Sequence, residues 1–141
     1  MTSHDIRIHC CGVEEKGHCF AVEYKNEVIF LDAGFNISKN YYKFLDLGKD
    51  ATYADVSKTI GAPILDNVNL RNVKGYCLSH EHSDHVSGLP FIYNEVCTHT
   101  WSLTPVFSTK PTIEGVKHKF RSHHIPFDEE IFISVEDKSV I

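Results

Sequence analysis

The segment Leu78-Ser79-His80-Glu81-His82-Ser83-Asp84-His85 carries the chemistry most readily read from this chain. Its core, His-x-His-x-Asp-His, puts three imidazoles and a carboxylate into six residues. Divalent zinc takes this mixture of nitrogen and oxygen donors. The spacing suits the end of a strand. His80 and His82 are two apart, so an extended backbone points both to one side. Ser83 or Asp84 can then cap a helix whose first turn brings Asp84 and His85 to a neighbouring point. Two donor pairs aimed at adjacent points suit two metals, and a metal pair can activate a water and clamp a phosphate. A solvated histidine cluster is the bland alternative in a chain with 10 histidines among 141 residues. The apolar run before the motif and the helical pattern after it favour metal.

Length and composition fit one soluble domain over residues 1–141, with 42% hydrophobic residues to build a core. No apolar stretch approaches membrane-spanning length, and the first residues carry no secretory pattern. The five cysteines, Cys10, Cys11, Cys19, Cys77 and Cys97, include no Cys-x-x-Cys pair, and several fall in strand-like runs. That usage suits buried thiols in a reducing cytoplasm better than a disulfide framework. The formal net charge of −5 lends no support to a nucleic-acid partner by itself, and leaves a local basic groove possible.

The elements that must position the motif follow from periodicity and turn residues. Ile6–Cys11 reads as a strand, and His18–Tyr24 with Val28–Asp32 as a hairpin across Lys25-Asn26. Ser38–Leu47 and Tyr53–Ile60 read as short helices, and Gly61-Ala62-Pro63 breaks the chain. Val73–Ser79 is the strand feeding the motif. A helix over Asp84–Tyr93 follows, with Pro90 expected to disturb it and end it early. Thr104–Ser108 is a strand, and Pro111 stands where a short helix would open. Gly115–Ser122 and Ile131–Val135 are expected to be further strands.

At this level the chain resembles a known family. His80–His85 looks like the signature of the metallo-β-lactamase fold, and Phe30-Leu31-Asp32-Ala33-Gly34 resembles that fold's earlier strand-end aspartate motif. Gly88-Leu89-Pro90, Pro105-Val106-Phe107-Ser108-Thr109 with Thr112-Ile113-Glu114, and Ser122-His123-His124-Ile125-Pro126 resemble, in order, elements of the ribonuclease J-like (β-CASP) branch. The resemblance implies an α+β fold, an αββα sandwich with metals at the edge between two sheets. It implies His80, His82 and His123 around a first zinc, with Asp84 and His85 at a second. Asp32 would support the ligands from behind without being one. Asp84 and His82 are the candidate catalytic residues. His124 and His118 compete with His123. In an alternating strand His123 and His124 would face opposite ways, so one at most is a ligand. The basic run Lys117-His118-Lys119-Phe120-Arg121 could meet a phosphodiester backbone or could be a solvated strand face.

The family pattern continues past the His123 element to a bridging aspartate and a last histidine. Here Asp128 and Asp137 are the only later aspartates, and neither follows an apolar strand in the required way. The inserted domain of the ribonuclease J-like branch is also missing. The expectation is therefore an N-terminal half: one mixed sheet with flanking helices, its inner face open. A half of this kind should associate with a complementary C-terminal half or with a second copy of itself, or be covered by a rearranged element such as Ser38–Ile60. It should hold one zinc tightly at His80, His82 and His123, with the second site weak or completed from elsewhere. Three functions follow. The first is a zinc-dependent phosphodiesterase or nuclease, complete in an assembly and acting on nucleic acid or another phosphodiester. The second is a catalytically incomplete metal-binding remnant acting through interactions. The third is a hydrolase of a small ester or thioester.

Overall fold

A computed structural model of the chain describes residues 5–13, 17–35, 52–59, 62–100, 102–137 and 141. Its centre is a six-stranded mixed sheet whose strands lie in chain order. β1 (Arg7–Gly12), β2 (Cys19–Tyr24) and β3 (Glu27–Leu31) form an antiparallel meander. β4 (Val73–Cys77), β5 (Val106–Ser108) and β6 (Phe132–Ser134) then run parallel to β3. The β2–β3 turn has the two residues expected. Lys25 and Asn26 both take positive φ, 49° and 63°, the twist a two-residue hairpin requires.

Parallel neighbours need crossover connections, and these carry the helices. α1 (Tyr53–Thr59) lies between β3 and β4. α2 (Ser83–Val86) and α3 (Leu89–Cys97) lie between β4 and β5, and α4 (Lys110–Ser122) between β5 and β6. Single 3-10 turns, Leu70–Asn72 and Glu129–Ile131, lead into β4 and β6.

The two sheet faces differ sharply. One paired row, Ala21–Phe30–Tyr76–Val106, is fully buried in a core shared with Val86, Ile92, Val116 and Phe120. The adjacent row, Cys10–Phe20–Leu31–Cys77–Phe107–Ile133, runs across all six strands on the other face. That side is apolar yet open. Ile8, Ile29, Leu31 and Ile133 keep 68%, 41%, 42% and 41% of their surface in contact with solvent. The one mixed sheet with flanking helices and a bare apolar face is the expected arrangement.

Three expectations are corrected. Gly115–Ser122 is not a strand; it is the larger part of the 13-residue helix α4, with Thr112, Ile113, Val116 and Phe120 buried at helical spacing. Gly115 lies inside that helix. A side chain there would meet only Glu81, at 3.7 Å, so it marks no tight approach. Secondly, Pro90 does not end a helix over Asp84–Tyr93. The chain makes two helices, and Pro90 sits in the first turn of α3, where a missing N–H leaves no helical bond unmade. Thirdly, His123 and His124 are not on a strand. His123 closes α4 and His124 takes a left-handed φ of 56°. The helix expected over Ser38–Leu47 lies outside the described residues.

Candidate metal centre

The His-x-His-x-Asp-His segment leaves the carboxyl end of β4, beside the carboxyl end of β3. Backbone bonds lock the two ends together. The Asp32 N–H donates to the Cys77 carbonyl at 2.9 Å, and Ala33 N–H to the His85 carbonyl at 2.8 Å. Gly34 lies so close to the motif that an added Cβ would fall 1.7 Å from the Asp84 carbonyl oxygen, so only glycine fits. α2 begins at Ser83 with His82 as its capping residue, and no side chain caps it.

Asp32, at a left-handed φ of 59°, is the hub. One carboxylate oxygen accepts from the Ser79 N–H at 2.7 Å. The other lies 2.7 Å from Nδ1 of His85 and 2.8 Å from the Ser79 hydroxyl. A carboxylate only accepts, so Nδ1 of His85 carries a proton, and in the neutral ring its Nε2 is the bare nitrogen. The Ser79 hydroxyl has one proton to give. If Asp32 takes it, that oxygen accepts from Nδ1 of His80, 2.9 Å away. Nε2 of His80 is then bare as well. One carboxylate sets two imidazoles in the tautomer that can ligate a metal.

The three motif histidines do come together. The His80 ring lies 4.6 Å from that of His82 and 4.1 Å from that of His85. Asp84 extends outward, half exposed, with Oδ2 3.7 Å from Nε2 of His85. It also stands 3.4 Å from Nε2 of His18, a residue that sequence spacing did not single out. Among the described residues, His18, Asp84 and His85 are the group whose donor atoms all lie within 4.8 Å of one another. No local pattern could have flagged His18. It stands at the start of the hairpin and reaches the motif only through the sheet.

His123 is buried and stacks obliquely on Phe91, ring centres 4.9 Å apart, whereas His124 is exposed. The two do differ in direction, through a helix end rather than strand alternation. Burial, with Lys119 and His124 nearby, holds the His123 imidazole below its ordinary pKa and so favours its neutral form. It does not join the close donor group. Of the basic run, Lys117 is engaged by Glu129 at 2.6 Å and Glu114 at 3.4 Å, and Arg121 approaches Glu129 at 3.9 Å. Lys119 turns instead toward the motif, its ammonium 3.4 Å from the Ser83 hydroxyl. Burial pushes its pKa down.

No family model matches the chain. It is 26% identical to ribonuclease J 1 of Streptococcus pyogenes over 113 residues, and 30% identical to ribonuclease J 2 of that organism over 136 residues. Those stretches cover 79% and 89% of this chain but only 17% and 21% of the relatives, so the chain spans about a fifth of their length or less. Among solved structures it is similar to the metallo-beta-lactamase fold protein YhfI from Bacillus subtilis, with 16% identity and a TM-score of 0.51. That match covers 98% of this chain and 45% of that one. By this likeness the chain has a metallo-β-lactamase fold. The sequence likeness is to the two ribonuclease J proteins.

Proposed function

We propose that the chain is the metal-binding part of a phosphodiesterase or nuclease of the metallo-β-lactamase fold. The observation that carries this is the Asp32 network, which holds His85 directly and His80 through Ser79, with Nε2 of His85 3.7 Å from the Asp84 carboxylate. Such an arrangement has little purpose as a mere turn, and its donor chemistry fits zinc. In this reading His80, His82 and His123 hold one zinc, Asp84 and His85 take part in a second, and Asp32 orients the imidazoles. His82 and Asp84 face the reacting group. A metal bound there supplies Lewis acidity and lowers the pKa of a coordinated water. Lys119, directed at the motif loop, offers a cation to a phosphate oxygen. The ribonuclease relatives make nucleic acid the favoured phosphodiester.

The bare sheet face supports a further part of the assignment. The middle of its apolar row, Leu31 and Cys77, lies next to the metal loop. A layer laid over it, from a complementary polypeptide segment or a second copy, would remove that surface from water and bring its own edge to the site. Full activity is proposed to need that layer. No helix among the described residues is long and apolar enough to cross a membrane. The five cysteines are free thiols, which supports a reducing, cytoplasmic setting.

The test joins metal analysis to mass measurement in solution, followed by hydrolysis of bis-p-nitrophenyl phosphate. Zinc should co-purify, His82→Ala should abolish its tight binding, and His99→Ala should not. Activity should be weak until the covering layer is added, and Asp84→Ala should then remove the gain. A chain that takes up no zinc, or that loses none on His82→Ala, overturns the proposal.

A further inference from the structure

We propose that His18 is a third protein ligand at the metal position of Asp84 and His85, an inference that rests on the metal-centre reading above. Ligands held tetrahedrally at about 2.0–2.1 Å from zinc stand about 3.4 Å apart. Nε2 of His18 is 3.4 Å from Oδ2 of Asp84, and Nε2 of His85 is 3.7 Å from the same oxygen. Two imidazoles and one carboxylate are a donor set for a borderline divalent cation, with a position left open for water or substrate.

The placement of His18 is set by backbone. Its N–H donates to the Asp84 carbonyl at 2.7 Å, and its carbonyl accepts from Gly34 N–H at 3.1 Å. Gly17 before it, at a φ of 78°, packs onto Gly34 so closely that a Cβ would meet the Gly34 carbonyl carbon at 2.4 Å. His18 is thus fastened to the residue whose carboxylate it faces. Its ring also stacks on His85, with centres 4.5 Å apart and planes inclined by 17°. Lone pairs lie in the ring planes, so both nitrogens reach one cation only once the stack opens and the His18 ring turns well out of its near-parallel alignment with His85, which Asp32 holds in place. His18 keeps 31% of its side-chain surface exposed and Asp84 50%, which gives the rings room to tilt and a cation room to enter.

The competing account gives His18 a purely structural part, stacking on His85 and bracing Asp84. His18→Phe separates the two, because it keeps an aromatic ring and removes the donor nitrogen. Zinc is titrated into the metal-free 141-residue chain against a chromophoric chelator, with thermal melting of the metal-free proteins as a check on folding. The wild type should show a tight and a weaker step. His18→Phe should weaken the second by about tenfold or more and leave the first in place. Nitrogen NMR spectra of the wild-type histidine rings make the result independent of any variant: Nε2 of His18 should move to the metal-ligated range at the second step. An unchanged second step in a folded His18→Phe, or an unmoved His18 nitrogen, overturns the inference and leaves the metal-centre reading standing. A wild-type chain that binds no zinc overturns both.

Discussion

Asp32→Asn is the most informative single change in the site. Asparagine tolerates the left-handed φ of 59° that position 32 requires, so the backbone cost that alanine would add is avoided. The remaining amide oxygen can still accept from the Ser79 N–H, now bonded at 2.7 Å. The amide nitrogen then occupies the place of Oδ2, facing Nδ1 of His85 and the Ser79 hydroxyl, which lie 2.7 Å and 2.8 Å from that oxygen. Donor would oppose donor. His85 escapes by moving its proton to Nε2, the nitrogen that must be bare to hold a metal. Ser79 loses its acceptor, can turn its proton toward His80, and drives that ring to the wrong tautomer too. Loss of such an outer hydrogen bond weakens metal binding by about 10–100-fold, roughly 1.4–2.7 kcal/mol. The metal-free fold loses a bond to a charged group, roughly 1.5–3 kcal/mol. Chelator competition measures the first quantity and urea unfolding the second. Zinc affinity equal to wild type, with only the urea midpoint shifted, would refute the tautomer argument and reduce Asp32 to a turn residue.

Gly115→Ala should stabilise the protein by about 0.5–1 kcal/mol, since the site is helical and a Cβ would make only ordinary contact with Glu81; a lower urea midpoint would show that α4 is not the helix described. Gly34→Ala should destabilise by about 3 kcal/mol or more, because its Cβ would collide with the Asp84 carbonyl; an unchanged melting temperature would refute the close packing of the two loops. His123 titrates below its ordinary value, so the unfolded chain takes up the proton first as pH falls. The metal-free protein should therefore hold this stability above about pH 6.5 and lose it as pH drops through the folded-state value. His123→Gln should flatten that dependence in urea titrations across the acid range, and a slope identical to wild type would sink the assignment.

How much of this was legible in the sequence depended on the range of the interaction. The hairpin was readable because its signals are local: alternation in Cys19–Tyr24 and Glu27–Leu31, with two turn residues between. β4 was readable for the same reason, and so was the meeting of His80 with His82, which follows from alternation alone. After β5, Pro111 marks the opening of a helix, but Gly115 and the β-branched Val116 weaken a helical reading of its continuation to Ser122. What makes α4 a helix is tertiary. Phe120 sits fully buried among Tyr93, Phe127 and Phe132, at ring separations of 6.0, 5.2 and 6.1 Å, and helical rather than strand spacing puts Ile113, Val116 and Phe120 on one face. Packing of that kind overrides propensity.

The site divides along the same line. The motif names its own donors, but not their environment. Asp32 was expected beside the ligands through the family resemblance of its strand-end motif, while the part played by Ser79 emerges only from the fold, because a serine next to a histidine is unremarkable until its hydroxyl lies between two imidazoles and a carboxylate. His18 is the limiting case. It reaches Asp84 only because β2 pairs with β3, β3 pairs in parallel with β4, and Gly17 and Gly34 let two backbones touch. Each of those conditions is visible in the chain as a strand or a glycine, but their product is a property of the sheet. A residue placed by two strand pairings and a backbone contact has no spacing rule to betray it, so side chains at the mouth of a metal loop must be sought from neighbouring strand ends rather than from the motif outward.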